Sequence, residues 1–395
     1  MKKEKKKPVL LFASREICYY SADFFMNQMA DAFEQMGYPV ELCILNLDRD
    51  VDRQLAPYVG KSYTAILDIN SLLPRAVTDD GALYLDGLDG PFYNYLVDHP
   101  FYHHPGLVVP LKNYHVICLD ENHVRYTKKY YPQIKSVFFL PLGATKAPLP
   151  IPMEKKKESV LFIGTYNCAA EVYREIADLP EALRRDDKEL IERMLAEPSL
   201  PQEEAFAQLL EERGEQISDT EFAVRMNRMY HVDRYLRNYY REEAIRTLVK
   251  HRIPVTVQGN NWEQLKEQES RYFQIQPPVD FSMTFQKIAE YEIVLNVSPL
   301  FQAGAHDRIF AAMANGSVCL TDRNVYMDKN FKDGENIVLF SPGHFEELPY
   351  LAEELLENKQ KREGIAANAE EEFDKKHSWQ KRAEQFIDLM EKEQL

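Results

Sequence analysis

Residues 291–322 read YEIVLNVSPLFQAGAHDRIFAAMANGSVCLTD, and this stretch decides the fold. Ile293–Val297 is short and apolar, as in a parallel strand buried on both faces. A loop with Ser298, Pro299 and Gly304 follows. Arg308–Asn315 carries Ile309, Phe310, Ala312 and Met313 at the spacing of a helix with one buried face. Gly316 is placed to end that helix in the left-handed conformation. Val318–Leu320 begins a second strand, with Thr321 and Asp322 at its carboxyl end. The pattern puts a polar loop at the carboxyl edge of a sheet, where open α/β sheets bind ligands. Amides at the helix start suit an anion such as a diphosphate, with Gly304, His306 and Arg308 as its contacts. Arg308 has the alternative of pairing with Asp307 or Asp322. An ordinary strand–helix–strand unit without a ligand gives the same pattern.

Working outward, short apolar runs alternate with helical stretches on both sides. Val9–Ala13, Val40–Leu45, Ala65–Ile69, Tyr93–Val97, Val116–Leu119 and Val137–Leu140 read as strands. Ser21 is expected to cap the first helix and Gly37 to stop it. Ala144–Ser159, with three prolines and a charged run, reads as a linker. Val160–Ile163, Val255–Val257, Phe273–Ile275 and Ile337–Phe340 then build a second sheet. Gly164 and Thr165 follow one of its strands, and Gln258-Gly259-Asn260 follows another. Each turn is either a plain turn or a backbone contact for phosphate or base. Residues of about 169–250 are helical and charged, and read as an insertion. The expectation is α/β with doubly wound parallel sheets: a first domain over 1–150, a second over 151–375, and a closing helix over 376–395 that packs back on the first.

Composition narrows the functions. The chain has 395 residues and a net charge of −15, which excludes nucleic acid as its main partner. Its five cysteines are scattered, without zinc spacing, and suit small buried side chains in a reducing, cytoplasmic setting. The lysine run at the amino terminus reads as a solvated tail, with peripheral membrane contact as the most it would support. No stretch of about 18 apolar residues spans a bilayer.

The segments Ile293–Asp322, Asp333-Gly334-Glu335, His377–Arg382 and Tyr235–Trp262 together resemble the CgeB-like bacterial glycosyltransferases. The Ala312–Gly316 patch (AMANG) followed by Thr321-Asp322 is the most specific part, and the resemblance covers most of 160–390. It implies a GT-B fold, two Rossmann-like domains facing across a cleft. It also implies transfer of a sugar from a nucleotide-sugar donor, such as a UDP- or GDP-sugar, to an acceptor that the sequence does not reveal. In such enzymes the carboxyl-terminal domain holds the donor and no metal or other cofactor is needed, so positive groups and helix amides would neutralise the leaving diphosphate. The chain departs from the pattern at Ala311 and Ala303, where related enzymes carry glutamates, one of them for ribose. Asp307 and Asp322 are the alternatives for that role.

The donor candidates are therefore Gly164, Thr165, Asn260, Gly304, His306, Arg308 and Asp322. Arg308→Ala is expected to weaken donor binding and leave the melting temperature nearly unchanged. Asp98 and His99 follow an apolar run and are the candidates for a base that deprotonates the acceptor; a turn-stabilising pair is the alternative. The two missing glutamates motivate a second function class, a catalytically inactive GT-B-like protein that binds nucleotide or sugar. A nucleotide-sugar epimerase on the same fold is a third.

Overall fold

The structure, a computed structural model, describes residues 6–18 and 20–393. Residues 2–5 of the lysine run lie outside the described residues. The chain divides into two compact units. One holds the described residues up to Leu142, together with Asp219–Asn227 and the residues from Trp379 on; the other holds Gly143–Ser218 and Arg228–Ser378.

Six parallel strands form the sheet of the first unit: β1 (Val9–Ser14), β2 (Val40–Leu45), β3 (Ala65–Ile69), β4 (Phe92–Leu96), β5 (Tyr114–Cys118) and β6 (Ser136–Phe139). Their order is β2-β1-β3-β4-β5-β6. Every residue of β1, β3, β4 and β5 is buried, as continuous apolar runs in a parallel sheet require. Fully burying each large aliphatic side chain is worth about 1.5–3 kcal/mol. The helix Ala22–Gln35 buries Phe25, Met26, Met29 and Phe33. It packs against the closing helix Trp379–Glu393, with Phe25 5.8 Å from Trp379 and Phe33 5.6 Å from Phe386. Gly37 ends it at φ +76°. Ser21 stands at the cap position but makes no capping bond; its hydroxyl donates to the Cys18 carbonyl at 2.6 Å.

The second unit repeats the plan with β7 (Lys157–Ile163), β8 (Val255–Gln258), β9 (Phe273–Gln276), β10 (Tyr291–Asn296), β11 (Val318–Asp322) and β12 (Val338–Phe340), again all parallel. The order β12-β11-β10-β7-β8-β9 reverses direction at the β10–β7 pair. Between β7 and β8 come five helices: Ala169–Ala177, Glu181–Ala196, Gln202–Glu212, Asp219–Arg228 and Tyr230–Lys250. The fourth belongs to the first unit over Asp219–Asn227. There Phe222 stacks on Tyr130 at 4.6 Å and Asn227 donates to the Phe101 carbonyl at 2.8 Å.

Buried polar groups fix the second unit. Lys156 donates to the carbonyls of Ala289 and Asn315 at 2.7 Å each, and burial pushes its amine down to about 8. Arg362, in the helix Lys359–Lys376, pairs with Glu292 of β10 at 2.8 Å. His377 stacks on Phe310 at 4.5 Å.

Candidate functional site

The two strands at the reversal point of the second sheet, β7 and β10, end beside each other, and ligands of open α/β sheets bind outside such carboxyl ends. β7 ends at Ile163 and runs into Gly164, β8 ends at Gln258 and runs into Gly259. A Cβ on Gly259 would lie 2.1 Å from the Gly164 carbonyl oxygen, so no other residue fits there without moving the chain. The Gly164 amide donates to the Gln258 carbonyl at 2.9 Å, and its own carbonyl accepts from Trp262 Nε1 at 2.7 Å. Gly164 contributes open space rather than backbone donors. A Cβ there would stand 3.2 Å from Phe162 and 3.7 Å from Arg308 Nη2. Thr165 is half-buried and Asn260 is exposed in the same turn region, where the Tyr166 amide donates to the Asn260 carbonyl at 3.0 Å.

β10 ends in Asn296 and β11 in Asp322, both inside their strands and buried. Asn296 donates to Ser298 Oγ at 3.1 Å and to Thr321 Oγ1 at 2.9 Å. Those bonds turn its Oδ1 toward Arg308, whose Nη1 donates to it at 2.7 Å. Asp322 accepts from the Ser298 amide at 2.9 Å and from Thr321 Oγ1 at 3.0 Å. Burial raises its carboxyl to about 6, with those two bonds opposing. Asp322 thus fastens the loop after β10, and that is the role its contacts show.

The helix Asp307–Ala314 begins one residue earlier than expected and is followed by Gly316 at φ +61°. Its first amides do not form the open anion cradle expected from the sequence. His306 Nδ1 lies 2.7 Å from Asp307 Oδ1 and 3.2 Å from the Arg308 amide. One ring nitrogen cannot accept from the amide and donate to the acid together. The shorter contact decides, because a lone pair 2.7 Å from a carboxylate oxygen would be repelled, so Nδ1–H donates to Asp307. In either tautomer the imidazole and the carboxylate occupy the space before these amides. Burial lowers the His306 pKa, with Asp307 opposing; burial alone would raise Asp307, but His306 holds it below the usual carboxylate range. The Gly304 carbonyl accepts from Asn324 Nδ2 at 3.1 Å.

What faces the strand ends is instead the Arg308 guanidinium. The residue is 9% exposed, and burial pulls its pKa down. Its carbon lies 5.0 Å from the centre of the Phe162 ring. Nη1 is committed to Asn296, while Nη2 makes no hydrogen bond among the described residues. Sequence reasoning missed Phe162, Asn296 and Arg241, whose guanidinium carbon lies 5.9 Å from the same ring. Their signal was position alone: one residue before a strand's end, a strand's last residue, and mid-helix. Ala303 and Ala311, at the two glutamate positions, are buried.

The first unit has its own polar cluster at the carboxyl end of β3. Asn70 donates to Asp98 Oδ2 at 2.8 Å and to Cys18 Sγ at 3.2 Å, and its Oδ1 accepts from the Val97 amide at 2.8 Å. Cys18, Asn70 and Ser71 all hold positive φ, at 55°, 51° and 57°. Such backbone costs about 1–3 kcal/mol each and gathers at functional sites. Asp98 and His99 part company here. His99 Nδ1 accepts from the Phe101 amide at 3.1 Å, and its ring packs against Phe101, His123 and Tyr126. His103 feels the Asp98 charge, and burial holds its imidazole below the ordinary value against that charge. Among the described residues no group of three or more His, Cys, Asp or Glu is placed to hold a metal ion. Among the same residues no helix is long and apolar enough to cross a membrane, and all five cysteines are free thiols.

Comparison with known proteins agrees with this architecture. Sucrose-phosphate synthase from Thermosynechococcus elongatus superposes with a TM-score of 0.57 at 10% identity, over 98% of this chain and 99% of its own. Anabaena HepE, solved with UDP and glucose, superposes with a TM-score of 0.54 at 12% identity, over 98% and 100%. Against TarM the TM-score is 0.49 at 11% identity, and 82% of this chain spans only 54% of that one. No curated protein matches the sequence. Residues 237–388 match the family model described as glycosyl transferase-like. The chain is a GT-B-fold protein whose carboxyl-terminal part is glycosyl transferase-like in sequence.

Proposed function

We propose that this protein is a glycosyltransferase of the CgeB-like kind. It moves a sugar from a nucleoside-diphosphate donor, a UDP- or GDP-sugar, to an acceptor, and works without a resident metal in the cytoplasm. The observation that carries this reading is Arg308: a buried guanidinium held by Asn296, with Nη2 directed to bare glycine backbone at a sheet's reversal point. The glycosyl transferase-like match over 237–388 and the HepE structure with UDP and glucose support it.

In this reading Gly164, Thr165, Asn260, Gly304 and Arg308 surround the donor, and His306 and Asp322 shape the surrounding loops. The anomeric C–O bond breaks with its electron pair passing to the diphosphate, whose growing charge Arg308 stabilises. The acceptor oxygen forms the new bond and gives its proton to the Asp98 carboxylate, which Asn70 orients. His99 supports the turn that presents Asp98. Unpaired cysteines fit a reducing compartment.

UDP-, GDP-, ADP- and dTDP-sugars test the reading together. Thermal stabilisation by one of them, with slow release of free sugar, is the expected result. Stabilisation without turnover on any acceptor would leave a binding protein, and no response to any nucleotide would remove the proposal.

A further inference from the structure

Acids answer most arginines of the helical insertion. Arg193 pairs with Glu212, Arg213 with Asp186 at 2.7 Å and Arg234 with Glu175 at 2.8 Å. The helix Glu181–Ala196 departs from this pattern. Arg184 and Lys188 are half-buried and form no ion pair among the described residues. Arg184 donates to the Ala177 carbonyl at 3.3 Å. With Glu181 and Arg185 these two cations line a groove of about 500 Å³, where Arg185 has Asp186 at 3.7 Å and Glu215 at 3.8 Å. Holding a cation half out of water without a counter-ion costs solvation free energy, and an anion seated in the groove offsets that cost.

Lys188 also stands over Tyr173, its ammonium 5.6 Å from the ring centre, and Tyr173 begins a row of three rings. It lies 5.5 Å from Tyr235, and Tyr235 lies 5.8 Å from Tyr239, one helical turn on, with ring planes 16° apart. Tyr173 is 38% exposed and the other two are half-buried. None of the three hydroxyls makes a hydrogen bond among the described residues. Glu242 is close enough to Tyr235 and Tyr239 to act on the charge of both, and it accepts from the Tyr166 hydroxyl at 3.2 Å. The row therefore leads from the groove toward the loop that carries Gly164 and Thr165.

We infer that the groove and the tyrosine row form one docking surface for an acidic glycan, so that the acceptor of the proposed transfer is a sugar chain bearing carboxylate or sulfate groups. The inference rests on the donor reading above and names the acceptor class that it leaves open. A tyrosine offers a sugar two things together: a ring for its apolar face and a hydroxyl for its own hydroxyls. Arg184 and Lys188 supply the charge that an acidic substituent needs. An acidic peptide matches the cations and leaves the rings without a role. The net charge of −15 repels a polyanion from most of the chain, which favours this helix as its landing place.

Affinity electrophoresis of the full chain tests it, in gels that hold polygalacturonate, dextran sulfate, neutral dextran or polyglutamate. Polygalacturonate or dextran sulfate retards the wild-type protein, less so at high salt, while dextran and polyglutamate leave it nearly free. Arg184→Gln combined with Lys188→Gln weakens the acidic glycan by on the order of tenfold. Tyr173→Ala weakens it by about threefold to tenfold. Both variants keep the wild-type circular-dichroism spectrum and nucleoside diphosphate affinity. Equal retardation by polyglutamate overturns the inference, because charge alone then accounts for binding. Retardation by neither acidic glycan, or retardation that survives the Arg184 and Lys188 changes, overturns it while the donor reading stands. Retardation as expected, with no response to any of the UDP-, GDP-, ADP- and dTDP-sugars, removes the acceptor role together with the donor reading.

Discussion

Arg308 Nη1 is joined to Asn296 Oδ1 by a 2.7 Å hydrogen bond between two buried side chains. Because Asn296 spends its amide hydrogens on Ser298 and Thr321, its oxygen has a single direction to face. The guanidinium is therefore set by β10 and β11 rather than by its own helix. A side chain expected to meet a ligand, or to pair with Asp307 or Asp322, is instead bonded to Asn296 in the core.

That relationship changes the expected result of Arg308→Ala. The change takes the charged donor from the buried Asn296 oxygen, leaving it the Ser298 hydroxyl at 3.2 Å, and removes the stack on Phe162. A loss of about 1–3 kcal/mol follows, read as a lower urea midpoint, alongside weaker nucleoside diphosphate binding. A urea midpoint equal to wild type would show that the bond does not form.

Gly259 and Gly37 make a matched pair of tests. Gly37→Ala meets nothing within 4 Å and carries only the left-handed backbone penalty, about 1 kcal/mol. Gly259→Ala drives a methyl into the Gly164 carbonyl and has to move a strand end, so several kcal/mol are expected. Chemical denaturation of the two variants checks the order. A Gly259→Ala protein as stable as Gly37→Ala would contradict the packing of β7 on β8.

Asp187 gives a pH dependence with a definite sign. It is 0% exposed, and neither carboxyl oxygen has a hydrogen bond among the described residues; the nearest partner is His231 Nδ1 at 3.8 Å. Burial raises it from the ordinary 3.8 to about 7, with Asp186 adding to the shift. The folded state thus holds this proton more tightly than the unfolded chain. Stability present below about pH 4 is lost as pH rises to about 7, by roughly 3–4 kcal/mol in all. Asp187→Asn removes that loss, so its gain over wild type should be largest at about pH 8 and roughly half that or less at about pH 5. A gain of the same size at both values would mean that Asp187 is already ionised in the folded protein.

Asp98→Asn keeps the size of the side chain and removes the charge that Asn70 orients. Turnover should fall by about 10²–10⁴-fold with donor affinity within about twofold of wild type. Full turnover in this variant would take Asp98 out of the mechanism. His99→Phe keeps the ring stack with Phe101 and Tyr126 and should retain most activity, which separates the two neighbours.

The strands were legible because parallel strands buried on both faces are continuous apolar runs. β10 begins two residues before the expected start and ends one before the expected end, at Asn296, while β11 runs two beyond it, so that Asp322 falls inside it; strand ends are set by pairing partners, which a local pattern does not contain. The Gly164 and Gly259 turns were visible as glycines, yet only their mutual approach shows that one exists to clear the other's carbonyl. The expected anion cradle at the helix start was a sound inference from amides at a helix end. It fails because the residues at that end, His306 and Asp307, fill it.

The order of elements, the apolar cores of two sheets and the carboxyl-edge loops followed from the sequence itself, since burial and backbone hydrogen bonding constrain every residue of a buried strand. Which polar groups meet was decided only in three dimensions. Phe162, Arg241, Asn296 and Arg308 come from two strands and two helices, and charge, stacking and hydrogen bonding act over a few ångströms of space, whatever the distance along the chain.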